Sequence, residues 1–242
     1  MPLNLGVEIT YLGHSTVLIQ TPGGKKLIVD PWTYGNPACP AKYKQPDSLG
    51  KLDLMLITHL HSDHAGDGVR ILTENPDATL VGIFEAALYF SAKVSNPSQP
   101  MNKGGNIKTH GLSINMTHAF HSSSVEEEDG SLIYGGEAAG YVITMENGVA
   151  LYAAGDTALF GDMVLIKELY KPDIALLPIG DRFTMGPKEA AYAATLLGVK
   201  HVVPIHYATF PMLSGSPEEL ISNLKAHPEV EVHVIPPGDT LR

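Results

Sequence analysis

Residues 59–64 read His59-Leu60-His61-Ser62-Asp63-His64, so that three imidazoles and one carboxylate stand within six positions. Neutral imidazole nitrogen and carboxylate oxygen are the ligands that suit zinc and other borderline divalent ions. The alternative is a strand-end histidine followed by a helix-capping turn, with Asp63 near the positive end of a helix. That alternative needs four ligand-type residues to coincide by chance, so the hexad predicts a metal site.

The hexad lies between a predicted strand and a predicted helix. Residues 52–58 form a short apolar segment bounded by polar residues, which is typical of a buried strand. Residues 65–73 carry Val69, Ile71 and Leu72 at a spacing that favours a helix. We therefore place the hexad on a strand-to-helix turn, where side chains can converge on one point.

Three later segments have the same form, a predicted strand that ends in a ligand-type residue. They are residues 115–121, which end in His121, residues 149–155, which precede Asp156, and residues 201–205, which precede His206. The candidate metal ligands are therefore His59, His61, Asp63, His64, His121, Asp156 and His206.

This pattern, H-x-H-x-D-H followed by a His, a Gly-Asp-Thr and a final His, resembles the metallo-β-lactamase-fold hydrolases. Further motifs are similar to the ascorbate-phosphate lactonase-like and N-acyl-phosphatidylethanolamine phospholipase D-like branch: Leu12-Gly13-His14-Ser15, Val29-Asp30-Pro31-Trp32, Gly155-Asp156-Thr157 and Pro204-Ile205-His206-Tyr207. Residues 117–123, 183–187 and 236–239 are similar to a prokaryotic family of metal-dependent hydrolases, and the resemblance runs from Ile9 to Leu241.

The resemblance implies an α+β fold, a four-layer αββα sandwich of two mixed β-sheets flanked by helices, in a single domain over residues 1–242. It also implies two divalent metal ions, Zn²⁺ first, with Mn²⁺ or Fe²⁺ as alternatives. The ions would activate a hydroxide that attacks an ester, a lactone or a phosphodiester. The sequence is thus expected to encode a metal-dependent hydrolase.

The resemblance also implies a role for each candidate ligand. The first ion would be held by His59, His61 and His121, the second by Asp63, His64 and His206, and both by Asp156. Asp63, Asp156 and His14 are the candidate catalytic residues. Asp30 is expected to accept a hydrogen bond from the free N–H of a metal-binding imidazole.

Several histidines allow two interpretations. His118 and His121 both end the predicted strand, and the family order Ala-Phe-His-Ser favours His121 as the ligand, which leaves His118 in the core or behind the site. His14 is either a buried, hydrogen-bonded histidine at a sheet end or a group that contacts substrate. The remaining four are interpreted as ordinary surface or strand-end histidines: His110, His201, His227 and His233.

The composition argues against a polyanionic partner, because Asp and Glu exceed Lys and Arg by 26 to 16, a net charge of −10. A nuclease would be expected to carry a basic patch. A compact nuclease of the tRNA-maturation type and a non-catalytic metal-containing binding module are therefore the alternatives. We expect a small-molecule substrate and disfavour nucleic acid, and the sequence leaves homo-oligomer formation open.

Several features fit a cytoplasmic protein. Cys39 is the only cysteine, so no intramolecular disulfide can form. The first residues lack the plan of a signal peptide, and no run approaches the roughly 18 apolar residues of a membrane span. We expect no transmembrane segment.

Along the chain, we predict a hairpin of residues 8–20 and 26–30, a helix over residues 85–94 and a Pro/Asn/Gly-rich passage to Asn106. The acidic segment of residues 122–138 is interpreted as a solvated loop, with a mobile lid as the alternative. Asp181 departs from the expected family pattern and, with Arg182, predicts a charged pair near the mouth of the site. Strands and helices then alternate over residues 173–179, 187–197, 201–205, 216–225 and 230–235.

Overall fold

A computed structural model describes residues 3–127 and 129–242. Met1, Pro2 and Glu128 lie outside the described residues, together with what the sequence predicts of them, namely the start of the N-terminal segment and one carboxylate of the acidic run.

The first β-sheet has seven strands and is mixed. Its strands are β1 (Glu8–Tyr11), β2 (Val17–Gln20), β3 (Lys26–Val29), β4 (Leu54–Leu56), β5 (Thr79–Ile83), β6 (Ser98–Met101) and β16 (Thr240–Leu241). Their order across the sheet is β16-β1-β2-β3-β4-β5-β6. The pairs from β16 to β3 are antiparallel and the pairs from β3 to β6 are parallel.

The second sheet also has seven strands and is mixed. Its strands are β7 (Asn106–Thr109), β8 (Leu112–His118), β11 (Ala139–Thr144), β12 (Ala150–Ala153), β13 (Ile174–Pro178), β14 (His201–Ile205) and β15 (Glu231–Val232), in the order β15-β14-β13-β12-β11-β8-β7. The pairs from β7 to β12 are antiparallel and those from β12 to β15 are parallel. A separate two-stranded hairpin consists of β9 (Ser124–Glu126) and β10 (Leu132–Tyr134).

The described residues contain six α-helices, and helices lie against both sheets. They are α1 (Ser62–Ala65), α2 (Gly68–Glu74), α3 (Phe84–Ser91), α4 (Met163–Tyr170), α5 (Pro187–Leu197) and α6 (Pro217–Asn223). Helix α3 packs on β5 and β6 of the first sheet, and α5 packs on β13 of the second. The predicted α+β fold with two mixed sheets between helices is confirmed.

Strand β13 shows how the second sheet is covered on both faces. Ile174 and Leu176 pack into the core between the two sheets, whereas Ala175 and Leu177 pack against helices α4 to α6. Successive side chains of a strand point to opposite faces, so a strand buried on both faces must be apolar throughout. This explains why the sequence of β13 is a continuous apolar run.

The structure divides the predicted strand of residues 8–20 into two. A tight turn joins β1 to β2, and in it the Thr16 N–H donates to the carbonyl of Gly13. Gly13 and His14 have φ values of 98° and 56°, in the left-handed region that a continuous strand cannot contain. The predicted hairpin with residues 26–30 is confirmed in the pairing of β2 with β3, whereas its first arm consists of two strands, and the turn between them carries His14 into the protein interior, where it is fully buried.

Three further elements differ from the predictions. The segment of residues 122–138, expected to be a solvated loop, contains the β9–β10 hairpin, and the passage before Asn106 contains β6. All three residues of β10 are exposed, so the sequence has no inward–outward alternation there to reveal a strand. Helix α4 is not predicted either. Helix α5 and strand β14, in contrast, have the predicted bounds.

Candidate metal centre

The candidate ligands follow the ends of four strands. His59 comes three residues after β4, His121 three residues after β8 and Asp156 three residues after β12, and His206 follows β14 directly. The first of these strands belongs to one sheet and the other three to the facing sheet. Because the chain leaves each strand toward the same region, residues that lie far apart in the sequence meet there.

His59, His61 and His121 form the first cluster. Each offers one ring nitrogen, and these nitrogens all lie within 4.8 Å of one another. The ring centroids are 4.6, 5.0 and 5.1 Å apart. His59 is fully buried, whereas His61 and His121 are partly exposed. Three histidine nitrogens with one side open to solvent are the donor set of a catalytic zinc site.

Asp63, His64 and His206 form the second cluster, and His14 joins them. One ligand atom of each lies within 4.8 Å of the others. Helix α1 begins at Ser62, so Asp63 and His64 both lie in its first turn, while His61 is its N-terminal cap residue. The expected triad is therefore brought together, with one histidine more than the resemblance implies.

Asp156 lies between the two clusters. Its Oδ2 atom is 3.0 Å from His206 Nε2, 3.3 Å from His64 Nε2 and 3.7 Å from His121 Nε2. Donor atoms that share one ion at 2.0–2.2 Å lie about 3–4 Å apart, as these do. Asp156 Oδ1 and His59 Nε2 are buried without a hydrogen-bond partner among the described residues. Such atoms cost about 1–3 kcal/mol each, and a divalent cation would remove that cost, so the residues fit a metal.

Burial keeps the first cluster neutral. It lowers the pKa of His59 well below the ordinary value, and the neighbouring His64 adds to the effect. Burial also lowers the pKa of His61 and of His121. A neutral imidazole keeps the lone pair that binds a metal. These three side chains are therefore ready to bind an ion at neutral pH.

The charge balance is different around Asp156 and His64. Burial alone would raise the pKa of Asp156 and lower that of His64. Their mutual attraction outweighs burial, with further attraction from His206 on Asp156 and from Asp30 on His64. The pKa of Asp156 therefore lies well below its ordinary value and the pKa of His64 well above. A dication bound here would replace the proton as the partner of the carboxylate, since metal-binding imidazole is neutral.

Asp30 orients two of the candidate ligands from behind. The Thr58 hydroxyl donates to Asp30 Oδ2 at 2.8 Å and the Thr58 N–H donates to Oδ1 at 2.8 Å. His64 Nδ1 lies 2.9 Å from the same Oδ2 atom, and His59 Nδ1 lies 3.0 Å from the Thr58 hydroxyl. Because the hydroxyl has already donated its proton, His59 Nδ1–H must donate to it. Both imidazoles thus carry a proton on Nδ1, so His59 presents its Nε2 lone pair to the centre, and His64 would present its own once a cation replaces its Nε2 proton.

His14 lies behind Asp63 and not at the open side of the site. Its Nε2 is 3.1 Å from Asp63 Oδ2, and its side chain is fully buried. Burial lowers the pKa of His14 to about 4, against the opposing hydrogen bond to Asp63. Burial would raise the pKa of Asp63, but this hydrogen bond and the charge of His64 hold it below the ordinary value. A neutral His14 therefore donates Nε2–H to the carboxylate and fixes its position.

The other histidines are distributed as follows. His118, the alternative to His121, ends β8 and has its Nδ1 atom 3.0 Å from Lys103 Nζ, outside both clusters. His110 and His227 contact polar neighbours near the surface. His201 and His233, interpreted from the sequence as ordinary, instead form a third group of ligand-type side chains with Glu231.

A cavity of about 530 Å³ opens beside the clusters. His61 and Asp63 line it, together with a mostly apolar wall that includes Trp32, Leu60, Val69, Tyr89, Phe90, Val125, Leu132 and Phe210. Ser124 and Glu126 complete the part contributed by the β9–β10 hairpin. Among the described residues that line it there is no Lys or Arg. Asp181 and Arg182, the charged pair expected at the mouth, are not among these lining residues either.

The sequence did not predict most of the residues of this wall. Trp32 stands in a motif that the resemblance singled out, but no signal marks Tyr89, Phe90 or Phe210 as lining residues, because apolar residues are normal in any core. Within the described residues, none of the helices has the length and apolarity needed to cross a membrane.

The chain is similar to several known proteins. The profile of the beta-lactamase superfamily domain matches residues 25–207. A UPF0173 metal-dependent hydrolase of Rubrobacter xylanophilus is 50% identical over 237 residues, which cover 98% of this chain and 96% of that protein. Another, from Methanopyrus kandleri, is 44% identical, with 97% and 99% covered.

A similar structure is that of Igni18, a novel metallo hydrolase from the hyperthermophilic archaeon Ignicoccus hospitalis. It has a TM-score of 0.84 and 36% sequence identity, and the alignment covers 97% of each chain.

Proposed function

The chain belongs to the beta-lactamase superfamily domain family and is one of its metal-dependent hydrolases, and on that premise we propose that it hydrolyses a small, uncharged ester or lactone with an apolar substituent. The cavity carries this proposal, because the ligand-type side chains of His61 and Asp63 share it with a wall of apolar groups.

Two divalent ions complete the site in this proposal, Zn²⁺ first and Mn²⁺ or Fe²⁺ as alternatives. His59, His61 and His121 would hold one ion, Asp63, His64 and His206 would hold the other, and Asp156 would contribute to both. Support comes from the convergence of one ligand atom per residue in each cluster and from the position of the Asp156 carboxylate between them. Such ions supply Lewis acidity and a hydroxide nucleophile near neutral pH.

The protein's own residues keep these ligands in place. Asp30 accepts hydrogen bonds from His64 and Thr58, so the lone pairs of two imidazoles face the centre. His14 holds the carboxylate of Asp63 in the same way. We therefore assign His14 as a positioning residue, since a fully buried ring behind Asp63 has no path to substrate.

The residues of the cavity wall support this class of substrate. Asp63 and Glu126 are acidic, and among the described lining residues no cation faces them. The two dications would neutralise Asp63, which leaves Glu126 as the acidic group of the wall, and a phosphodiester would find no Arg or Lys among the described lining residues to bind its phosphate. An uncharged acyl group instead replaces water against Trp32, Leu132 and Phe210, at about 25 cal/mol for each Å² of apolar surface buried. The same charges, with the net charge of −10, disfavour the tRNA-maturation nuclease.

The first test combines metal content with turnover. Purified protein is analysed for bound metals and assayed on a panel of lactones and esters with short and long acyl chains, beside bis(p-nitrophenyl) phosphate. His59→Ala removes a ligand of the first cluster. His227→Ala is the matched control, an exposed histidine outside each of the clusters found among the described residues.

We expect about two ions per chain and turnover of the neutral esters or lactones. His59→Ala should lose bound metal and turnover, whereas His227→Ala should keep the metal content and the turnover of wild type. Faster turnover of bis(p-nitrophenyl) phosphate than of any ester or lactone would refute the substrate class and leave the metal centre intact. A protein that binds two ions but hydrolyses none of these substrates would favour the metal-containing binding module.

A further inference from the structure

A third group of ligand-type side chains lies away from the centre described above. It consists of His201 on β14, Glu231 on the neighbouring parallel strand β15, and His233, which directly follows β15. His201 is paired in register with Glu231, and His233 follows two residues later. Side chains two residues apart on an extended chain point to the same face, so all three side chains meet on one face at the edge of the sheet.

This group lies far from the candidate active site. His201 begins β14, whereas His206 follows the other end of the same strand. Five residues of strand rise by about 16 Å. An ion bound to His201 therefore could not share ligands with the two clusters. Its role would be separate from that of the candidate active site.

The three ligand atoms have the separations that one small ion requires. His201 Nδ1 is 3.0 Å from His233 Nε2, and Glu231 Oε2 is 3.8 Å from the first nitrogen and 3.7 Å from the second. The point equidistant from these three atoms lies about 2.05 Å from each of them. Zinc lies 2.0–2.1 Å from histidine nitrogen and about 2.0–2.2 Å from carboxylate oxygen.

A hydrogen bond between the two imidazoles explains only part of this arrangement. It accounts for the 3.0 Å separation of the nitrogens, but the carboxylate oxygen at 3.7 and 3.8 Å is too far from either nitrogen for a hydrogen bond. The same oxygen is at a suitable distance to share an ion with both. Two histidines and one glutamate are also an established ligand set for zinc.

The surroundings leave room for a fourth ligand. The side chain of His233 is 4% exposed, that of His201 18% and that of Glu231 33%. A water molecule can therefore reach the group from the side of Glu231 and supply a fourth ligand, while His233 is held inside.

We propose that His201, Glu231 and His233 bind a third divalent transition-metal ion, preferably Zn²⁺, which fastens β15 to β14. Strand β15 has two residues and is joined to β14 through a short register. It is the edge strand from which the chain crosses to β16 in the other sheet. An ion with ligands on both strands adds a crosslink where the backbone pairing is shortest.

The test counts ions in the whole protein. Wild type, His233→Gln, Glu231→Gln and the control His227→Gln are equilibrated with Zn²⁺, freed of excess ion by gel filtration, and analysed for zinc per chain. Their melting temperatures are recorded with and without Zn²⁺, and ester or lactone turnover is measured as a check that the active site is filled.

We expect wild type and His227→Gln to hold one more zinc per chain than His233→Gln and Glu231→Gln. Turnover should be unchanged in all four, and the rise of melting temperature with Zn²⁺ should be smaller in the two ligand variants. Equal zinc content in wild type and Glu231→Gln overturns the proposal, even if His233→Gln fails to fold, because Glu231 is partly exposed and its replacement is conservative. The result does not depend on the identity of the substrate.

Discussion

Replacing Asp30 by Asn tests how the metal ligands are oriented. The substitution keeps the size of the side chain but turns one carboxylate oxygen into an NH₂ group. Asn Oδ1 can still accept the Thr58 N–H. Its NH₂ group would face the Thr58 hydroxyl and His64 Nδ1–H, which both donate to Asp30 Oδ2 at 2.8 and 2.9 Å. Three donors cannot satisfy one another.

The conflict is relieved only if the imidazoles change tautomer. His64 would move its proton to Nε2 in order to accept at Nδ1, and His59 would do the same to accept from a rotated Thr58 hydroxyl. Each change removes the lone pair that faces the centre. Loss of such a supporting group costs about 10- to 100-fold in metal affinity, which is roughly 1.4–2.8 kcal/mol.

The metal-free protein should also lose stability. Hydrogen bonds to a charged group contribute about 1.5–3 kcal/mol each, and two are at risk, so we expect the free energy of unfolding to fall by roughly 3 kcal/mol after partial rearrangement. Asp173→Asn is the matched control, because Asp173 Oδ2 accepts a single backbone N–H, that of Ala150, at 3.0 Å. The Asn oxygen can replace this acceptor, so the change should cost less than about 1 kcal/mol and leave metal affinity unchanged.

Zinc affinity is measured by competition with a chromophoric chelator, and stability by denaturant unfolding of the metal-free protein. The reasoning is refuted if Asp30→Asn binds zinc as tightly as wild type. It is also refuted if the two variants lose affinity and stability to the same extent, because the effect would then belong to any replacement of a hydrogen-bonded Asp by Asn.

Three further changes test other parts of the structure. Gly155→Ala places a Cβ 2.7 Å from that of Thr58 at a φ of 63°, so we expect a loss of roughly 2–4 kcal/mol in the free energy of unfolding; a loss below 1 kcal/mol, measured in urea, would contradict the close approach. Asp53 accepts hydrogen bonds from the Lys26 N–H and from Lys25 Nζ; burial would raise its pKa, but these bonds hold it below the ordinary value. The stabilisation from these bonds is present above the unfolded pKa of about 3.9 and disappears as the pH falls through the lower pKa of the folded protein. Asp53→Asn should therefore be less stable than wild type by about 1 kcal/mol at pH 7 and as stable as wild type in acid. A difference in stability that persists at low pH counts against the assignment. Finally, exhaustive chelation should abolish turnover and lower the melting temperature, and Zn²⁺ should restore both; turnover that survives removal of all metal would exclude a metal-dependent reaction.

The sequence by itself determined the chemistry of the centre. A metal site needs particular residue types at particular spacings, and the hexad from His59 to His64 provides four of them without reference to the rest of the fold. The pattern of strands that end in a ligand-type residue extended this to His121, Asp156 and His206, with the resemblance favouring His121 over His118, and the structure brings all of these side chains together. The fold class followed from the same motifs, whereas a single domain over residues 1–242 stays a prediction.

The tertiary structure alone decided which side chains surround the ligands. From the sequence His14 looked equally suited to contact substrate, and its burial behind Asp63 is the observation that supports a positioning role. The β9–β10 hairpin completes the cavity although its exposed residues follow no sheet-like pattern. His201 and His233 are 32 positions apart, and the pairing of β14 with β15 turns two unremarkable histidines into a candidate ion site. A local sequence pattern indicates whether one segment forms a strand, a helix or a turn. These contacts instead depend on the distances between segments, which are set only when the two sheets pack together.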